Sequence, residues 1–274
     1  MQRKPELLYL DLMKKTLSFT LWPEPPVPVD IFLHEKPFYK KLVILFISRL
    51  FKPSGLLLAM QPNFTTEQRE NGMIWPGYAD TMIGLKRLDN LQFCIETVLR
   101  EHIKGDMIET GVWRGGACIF MRAVLAAYDV HDRRVFVADS FRGLPKPDKR
   151  YPADRNAQFH IHRFLAVSRA EVERNFRKYD LLDDNVVFLE GWFKDTLPTA
   201  PIERLSILRL DGDMYSSTME ALTNLYPKLS DGGFCIVDDY ALAGCRDAID
   251  DFRKEHSIAS KMEKIDYTGV FWRK

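Results

Sequence analysis

Few features here point to a disulfide framework, a zinc centre, a nucleic-acid partner or a membrane. Four cysteines, Cys94, Cys118, Cys235 and Cys245, stand among 274 residues, too few for a disulfide scaffold. No CxxC pair occurs, and no cysteine has zinc spacing to a histidine. Reduced, buried thiols and a cytoplasmic setting are expected. Charge of one sign is missing too: Lys+Arg is 39 and Asp+Glu is 38, a formal net charge of +1. No bulk field therefore draws in nucleic acid or an anionic surface. The basic loop at Lys146, Lys149, Arg150 and Arg155 has no interleaved aromatics of the kind that bind RNA. The N-terminus, MQRKPELLYLDLMKK, lacks the uninterrupted apolar core of a signal peptide. The run Leu42–Ile47 (LVILFI) falls short of the ~20 residues a spanning helix needs, and Arg49, Lys52 and Pro53 interrupt the chain just after it. No stable membrane insertion is expected. Residues 42–60 read either as a buried or subunit-facing helix, which would make a homo-oligomer, or as an interfacial element or lip for a greasy acceptor.

Hydrophobic residues make up 46% of the chain, ample for a core. Leu7, Leu8, Met13 and Leu17 have helical spacing, with Asp11 and Lys15 four apart on another face. The proline-rich WPEPPVPV breaks the chain, and QPNFTTEQRENGMIWPGYADT reads as loop or lid. Leu85, Leu88, Leu91, Ile95, Val98 and Leu99 mark a long amphipathic helix. Beyond it strands alternate with helices. Strands are expected at 106–110, 134–138, 185–189, 205–210 and 234–237, and helices at 115–128, 169–178, 218–229 and 241–255. A hairpin around Tyr267-Thr268-Gly269 closes the chain. This order gives an α/β fold with a doubly wound, mostly parallel sheet. An antiparallel C-terminal edge strand and an N-terminal helical and lid extension complete it. The expected division is 1–80 for the extension and 81–274 for the α/β domain.

Acidic residues gather where such sheets bind ligands, at strand C-termini: Glu109, Asp139, Glu190, Asp211 and Asp238. After the first of these, Glu109-Thr110-Gly111-Val112-Trp113-Arg114-Gly115-Gly116 makes a glycine turn that is not GxGxxG, which argues against a dinucleotide pyrophosphate. Asp139 lies 28 residues beyond Gly111, where a carboxylate can accept both hydroxyls of an adenosine ribose. S-adenosylmethionine carries a sulfonium and no phosphate, so it suits acidic surroundings better than NAD does. Asp211-Gly212-Asp213 and Asp238-Asp239 would bring four carboxylates together on adjacent strands. Two unit charges 4 Å apart repel by about 4 kcal/mol at an effective dielectric of 20. A hard cation such as Mg²⁺ removes that cost. Helix capping by Asp213 or Asp239 is compatible with this reading. The same LRLDGD string also reads as the DxD of a metal-dependent glycosyltransferase. His160 and His162, two apart, either flank the substrate or are solvated; His34, His102, His131 and His256 are expected at the surface.

At ETGVWRGGACIF, VADSFRGLP, GWFKDTLP, LRLDGDMY, GGFCIVDDY and TMIGLKRLDNL the chain resembles the macrocin O-methyltransferase (TylF-like) family, from about Tyr78 to the C-terminus with an echo at YLDLMKKTL. Residues 19–64 depart from the family pattern, which leaves the acceptor open. The resemblance implies a class I methyltransferase fold, Rossmann-like, and an S-adenosylmethionine- and Mg²⁺-dependent O-methyltransferase of antibiotic and other secondary metabolism. The implied acceptor is a sugar hydroxyl of a glycosylated small molecule. Glu109, Thr110 and Gly111 would lie at the methionine end of the cofactor, Asp139 and Ser140 near the ribose, and Gly191 and Trp192 near the adenine. Met82 and Ile83 would close over it. Asp211, Asp238 and Asp239 would be metal ligands, and Asp213 the catalytic base.

Overall fold

The computed structural model describes residues 4–29 and 37–274; the expectation for His34 falls outside them. The N-terminal part forms α1 (Pro5–Leu17), β1 (Val27–Pro28), α2 (Phe38–Phe51), β2 (Ala59–Met60) and α3 (Thr66–Glu70). Pro5 starts α1 at a position where a missing N–H costs nothing. Its buried stripe is Leu10, Met13, Lys14 and Leu17. Leu7 and Leu8, which share the helical spacing, are 37% and 51% exposed, because the helix turns them away from the face that packs on the main body. Lys15 donates to Asp11 on the solvent side at 2.9 Å. Inside the stretch read as loop, Thr65 and Gln68 exchange side-chain and backbone bonds in a capping box and start α3.

Helix α2 corrects the expectation of burial. It carries the LVILFI run, yet none of its residues is buried. Pro53 ends it in a 3₁₀ turn. Among the described residues no helix is long and apolar enough to cross a membrane.

The remaining elements are α4 (Leu85–Arg100), β3 (Asp106–Thr110), α5 (Gly116–Ala127), β4 (Val135–Asp139), α6 (Arg169–Lys178), β5 (Val186–Glu190), α7 (Phe193–Thr196), β6 (Leu205–Leu210), α8 (Tyr215–Leu225), β7 (Leu229–Val237), α9 (Ala243–Glu255), β8 (Glu263–Lys264) and β9 (Val270–Arg273). Seven strands form one sheet in the order β5-β4-β3-β6-β7-β9-β8. β3 to β7 are parallel, and β9 joins β7 antiparallel at the edge expected from the C-terminal hairpin. Successive strand residues face opposite layers. Met107, Val137 and Ile207 pack with α1, α4, α5 and α6 on one side. Ile108, Phe136, Leu208 and Trp272 pack with α8 and α9 on the other. Both faces are covered, which is why the strands read as nearly continuous apolar runs.

The long segment after β4 is pinned rather than loose. Asp154, within it, is buried and accepts the first two amides of α8, Tyr215 N at 2.6 Å and Ser216 N at 3.0 Å. Neither Asp213 nor the preceding Met214 caps this helix with its side chain; a residue 61 positions earlier does. We expect Asp154→Ala to cost ~0.5–2 kcal/mol of stability, the range for a lost N-cap. Asp154→Asn, whose amide oxygen still accepts, should retain part of it. Chemical denaturation of both variants checks this, and equal midpoints for Asp154→Ala and the parent would contradict it.

Candidate active site

The strand ends line up because each loop begins by bonding to its neighbour. Gly111 N donates to Ala138 O at 2.8 Å, Gly191 N to Asp139 O at 2.9 Å, Asp211 N to Thr110 O at 2.9 Å and Asp238 N to Leu210 O at 2.9 Å. This ladder carries Asp139, Gly191, Asp211 and Asp238 to one edge. The chain leaves β3 for β4 and β5 on one side, then returns for β6 and β7 on the other. The crevice therefore opens between β3 and β6. There Gly111 has φ +88°, and a Cβ on it would sit 1.8 Å from Asp211 O. Only glycine lets the two strand ends approach this closely.

A cleft of about 230 Å³ occupies this crevice. Its walls include Met82, Gly111, Asp139, Ser140, Gly191, Trp192, Asp211, Gly212 and Asp213. Expected site residues from five different loops thus share one cavity. Asp139 spreads its carboxylate over the glycine turn: Oδ2 accepts Val112 N at 2.8 Å and Oδ1 accepts Phe141 N at 2.7 Å. Burial pushes this carboxyl up, and those backbone amides pull it back down. Ser140 Oγ donates to Gly143 O at 2.7 Å and shapes the turn that follows.

Five expected residues do not line the cavity: Ile83, Glu109, Thr110, Asp238 and Asp239. Ile83 is buried in the core. Thr110 is buried at the end of β3. Glu109 is buried against Arg209 and accepts from Cys118 Sγ at 2.9 Å. Burial lifts the Glu109 carboxyl to about 7, with Arg209 opposing. His160 lies in a 3₁₀ turn and His162 between that turn and the next, neither on a strand. His162 packs edge-on against Trp75 with ring centroids 5.3 Å apart. Neither histidine lines the cavity.

Sequence reasoning passed over two arginines. Arg209 is 1% exposed at the centre of the carboxylates. It pairs with Glu109 and Asp238 and reaches Asp211 Oδ2 at 3.0 Å. Arg87, on the buried face of α4, holds the other oxygen of Asp238. The signal was present in both cases. Arg209 is the one charged residue of LSILRL, and Arg87 falls on the apolar stripe with Leu91, Cys94 and Val98. The cavity wall also takes in Trp113, Lys146, Arg150, Phe193, Lys194 and Glu220.

Asp211, Asp238 and Asp239 each offer an oxygen within 4.8 Å of the others. Asp239 Oδ2 also accepts Asp213 N at 3.3 Å, so its carboxylate serves the turn rather than capping α9. Asp213 itself sits at φ +58°, a conformation that aims it inward from the DGD turn. Burial, then the charge of Asp211 and Asp238, raises its carboxyl to about 8. Burial and Asp238 raise Asp211 to about 6, and burial with the neighbouring aspartates raises Asp239 well above the carboxylate range. An all-oxygen donor set whose members resist ionising together fits a hard divalent cation. Asp238 keeps capacity for one as well, since each of its oxygens has a second lone pair beyond the one an arginine uses.

A doubly wound sheet in this strand order, with its cleft at the reversal point and a glycine turn facing acidic strand ends, is the class I methyltransferase fold. More narrowly, the chain belongs to the macrocin-O-methyltransferase (TylF) family, whose sequence profile matches residues 6–274. The match runs through residues 19–64, where a departure was expected. The chain is 47% identical over 273 residues to mycinamicin III 3''-O-methyltransferase of Micromonospora griseorubida, covering 97% of this chain and 96% of the relative. It is 48% identical over 270 residues to demethyldecarbamoylnovobiocin O-methyltransferase of Streptomyces niveus, covering 97% and 93%. The solved O-methyltransferase NovP superposes with a TM-score of 0.84 at 46% identity, covering 98% of this chain and 99% of that one. The protein is an O-methyltransferase, and the glycosyltransferase reading of LRLDGD is withdrawn.

The raised carboxyls fix a pH dependence for the metal-free protein. Asp213 moves from 3.8 to about 8 and Asp211 from 3.8 to about 6, so between those values the folded state holds more protons than the unfolded one. Stability is then greatest at the low end and is lost as pH rises, the loss being complete above about 8. Thermal melting of metal-free protein at pH 6 and pH 8 should show a lower midpoint at pH 8, and millimolar Mg²⁺ should remove most of the difference. A midpoint that rises with pH in metal-free buffer would contradict this electrostatic picture.

Proposed function

We propose that the protein moves a methyl group from S-adenosylmethionine to a sugar hydroxyl of a glycosylated small molecule, with Mg²⁺ held by Asp211, Asp238 and Asp239. The observation that carries this reading is the single cleft in which Asp139, Ser140, Gly191 and Trp192 face Asp211 and Asp213. The names of the relatives support the acceptor class: one is a mycinamicin III 3''-O-methyltransferase, and another acts at the 4' position of a rhamnosyl-tetracenomycin. Residues 81–274 form the transferase domain in this reading, and 1–80 the extension that shapes acceptor access. Four buried, unpaired cysteines suit a reducing cytoplasm, and the exposed apolar surface of α2 suits assembly with further copies.

Each role follows from placement. The N-terminus of α5, which follows the glycine turn, suits the methionine carboxylate of the cofactor. Asp139, already fixed by Val112 and Phe141 amides, presents its remaining lone pairs to the ribose hydroxyls. Gly191 and Trp192 border the adenine end. When bound, S-adenosylmethionine supplies an electrophilic methyl on its sulfonium, and Mg²⁺ supplies a Lewis acid that lowers the pKa of an acceptor hydroxyl. Asp213 accepts the hydroxyl proton at its carboxylate. Burial and the neighbouring aspartates raise its affinity for a proton in the metal-free protein, and a cation on those aspartates would lower it again, leaving a carboxylate able to accept the proton. Alignment of the hydroxyl with the methyl supplies the rest, since effective molarities reach ~10⁵–10⁸ M.

Substitution separates the roles. Asp139→Ala should weaken S-adenosylmethionine binding by about 10- to 150-fold, the equivalent of ~1.5–3 kcal/mol for a bond to a charged group. Asp213→Asn should bind the cofactor within a few-fold of the parent and lose ~10²–10⁴ in kcat. Calorimetry and single-turnover methylation supply both numbers. Normal turnover by Asp213→Asn would assign the base elsewhere. Chelation by EDTA should abolish turnover and Mg²⁺ restore it; full activity in verified metal-free protein would sink the metal assignment.

A further inference from the structure

One guanidinium ties the carboxylates to the segment over the cleft. Arg87 is 6% exposed, and four chain segments meet on it. Its Nη1 pairs with Asp238 Oδ2 at the end of β7. Its Nε lies 2.9 Å from Asp266 Oδ2 in the C-terminal hairpin. Its Nη2 straddles two carbonyls of the segment before α4, Gly72 O at 3.3 Å and Asn71 O at 3.4 Å. The Tyr267 ring lies 5.9 Å from it, and the Tyr267 hydroxyl donates to the same Gly72 O at 3.2 Å.

Two glycines make room for this side chain. Gly72 has φ +64°, and a Cβ there would fall 2.5 Å from Arg87 Nη2; a Cβ on Gly269 would fall 3.2 Å from Arg87 Cδ. Asp266 holds the hairpin through its Oδ1, which accepts Thr268 N at 3.0 Å and Gly269 N at 2.7 Å. The Arg87 site is thus built from all sides. A lysine would carry the charge but lacks the planar fork that reaches Asp238 and the carbonyls together.

The strap from Asn71 to Gly84 that Arg87 grips presents Met82 to the cleft. Its middle is held by Arg114 of the glycine turn, whose Nη1 donates to Gly77 O at 3.0 Å and Ala79 O at 2.7 Å. The strap is therefore tied at its start, through Arg87, to a carboxylate of the cation site and at its middle to the expected cofactor loop.

We propose that Arg87 is a positioning residue that fixes Asp238 for the cation and couples cation binding to the seating of strap 71–84 over the cofactor. This rests on the reading that Asp211, Asp238 and Asp239 hold a divalent cation. A cation drawing Asp238 toward Asp211 shifts the guanidinium, and the guanidinium carries the Asn71 and Gly72 carbonyls with it. The coupling is reciprocal by linkage, so a cofactor analogue that seats the strap tightens the cation in equal measure.

The test uses Mn²⁺ as the probe, its binding followed by electron paramagnetic resonance with and without S-adenosylhomocysteine. Hydrogen exchange of peptides spanning 71–84 is followed in parallel. In the parent, S-adenosylhomocysteine should tighten Mn²⁺, and Mn²⁺ should slow exchange in the strap. Arg87→Lys should bind Mn²⁺ ~10–100-fold more weakly, the range for a lost partner of a metal ligand, and its strap exchange should no longer respond to Mn²⁺. Arg87→Lys keeps the buried positive charge; it is compared at a temperature below its melting transition, with S-adenosylhomocysteine affinity in the absence of metal as the check on the fold. Loss of that affinity along with Mn²⁺ binding would mark Arg87 as a general structural residue and overturn the proposal. So would parent-like Mn²⁺ affinity and parent-like strap response in Arg87→Lys. Failure of the parent itself to bind Mn²⁺ would strike the cation assignment, a separate outcome from failure of the coupling.

Discussion

Like charge crowded into a small, partly dry volume is the constraint on which this structure turns. Glu109, Asp211, Asp213, Asp238, Asp239 and Asp266 converge at the ends of β3, β6 and β7 and in the C-terminal hairpin, with the guanidiniums of Arg209 and Arg87 among them. If all six carboxylates ionise, two cations leave most of the charge unbalanced. Each pair at 4 Å costs about 4 kcal/mol at an effective dielectric of 20. The carboxyls nearest the cleft respond by holding their protons, Asp213 to about 8. Arg209 and Arg87 hold both oxygens of Asp238, and Arg209 also reaches Asp211. A divalent cation, as proposed, would relieve the remaining repulsion.

The sheet enforces the crowding. In-register ends of β3, β6 and β7 put Thr110, Leu210 and Val237 side by side, so the residues just beyond them have no choice but to meet. Gly111 permits the last approach, and Asp154 holds the start of α8 so that the DGD turn does not drift. The geometry of the carboxylate cluster is thus set by backbone ladders and a long-range cap. Such support is stiffer than loops alone would give, and catalysis by alignment needs that stiffness.

Much of this was legible in the sequence, and the misses have physical causes. The limits of β3 and β6 and of α6 were read to the residue, because uniform apolar runs and a clean amphipathic period leave little ambiguity. β7 begins five residues earlier than read, since Leu229 already pairs with Leu205 and Ser230-Asp231-Gly232-Gly233 bulges out between it and Phe234. The aspartates were found by their position after strands. Arg209 and Arg87 were not, because a buried arginine is recognisable only once its partners are in place. Glu109 was assigned to the cofactor from resemblance, while its side chain turns into the core to meet Arg209. The exposed apolar helix α2 was the hardest to read: hydrophobicity on every side usually means burial, and here it marks a surface that the single chain does not cover.

The central claim is that one cleft holds a divalent cation beside the transferred methyl. Nuclear magnetic resonance of bound S-adenosylmethionine carrying a ¹³C-labelled methyl tests it most directly. Replacing Mg²⁺ by paramagnetic Mn²⁺ should strongly broaden the methyl signal in the parent, and the broadening should fade in Asp211→Asn and Asp239→Asn. A methyl signal equally sharp with Mn²⁺ and Mg²⁺, at concentrations where Mn²⁺ is bound, would put the cation away from the reacting carbon and contradict the account.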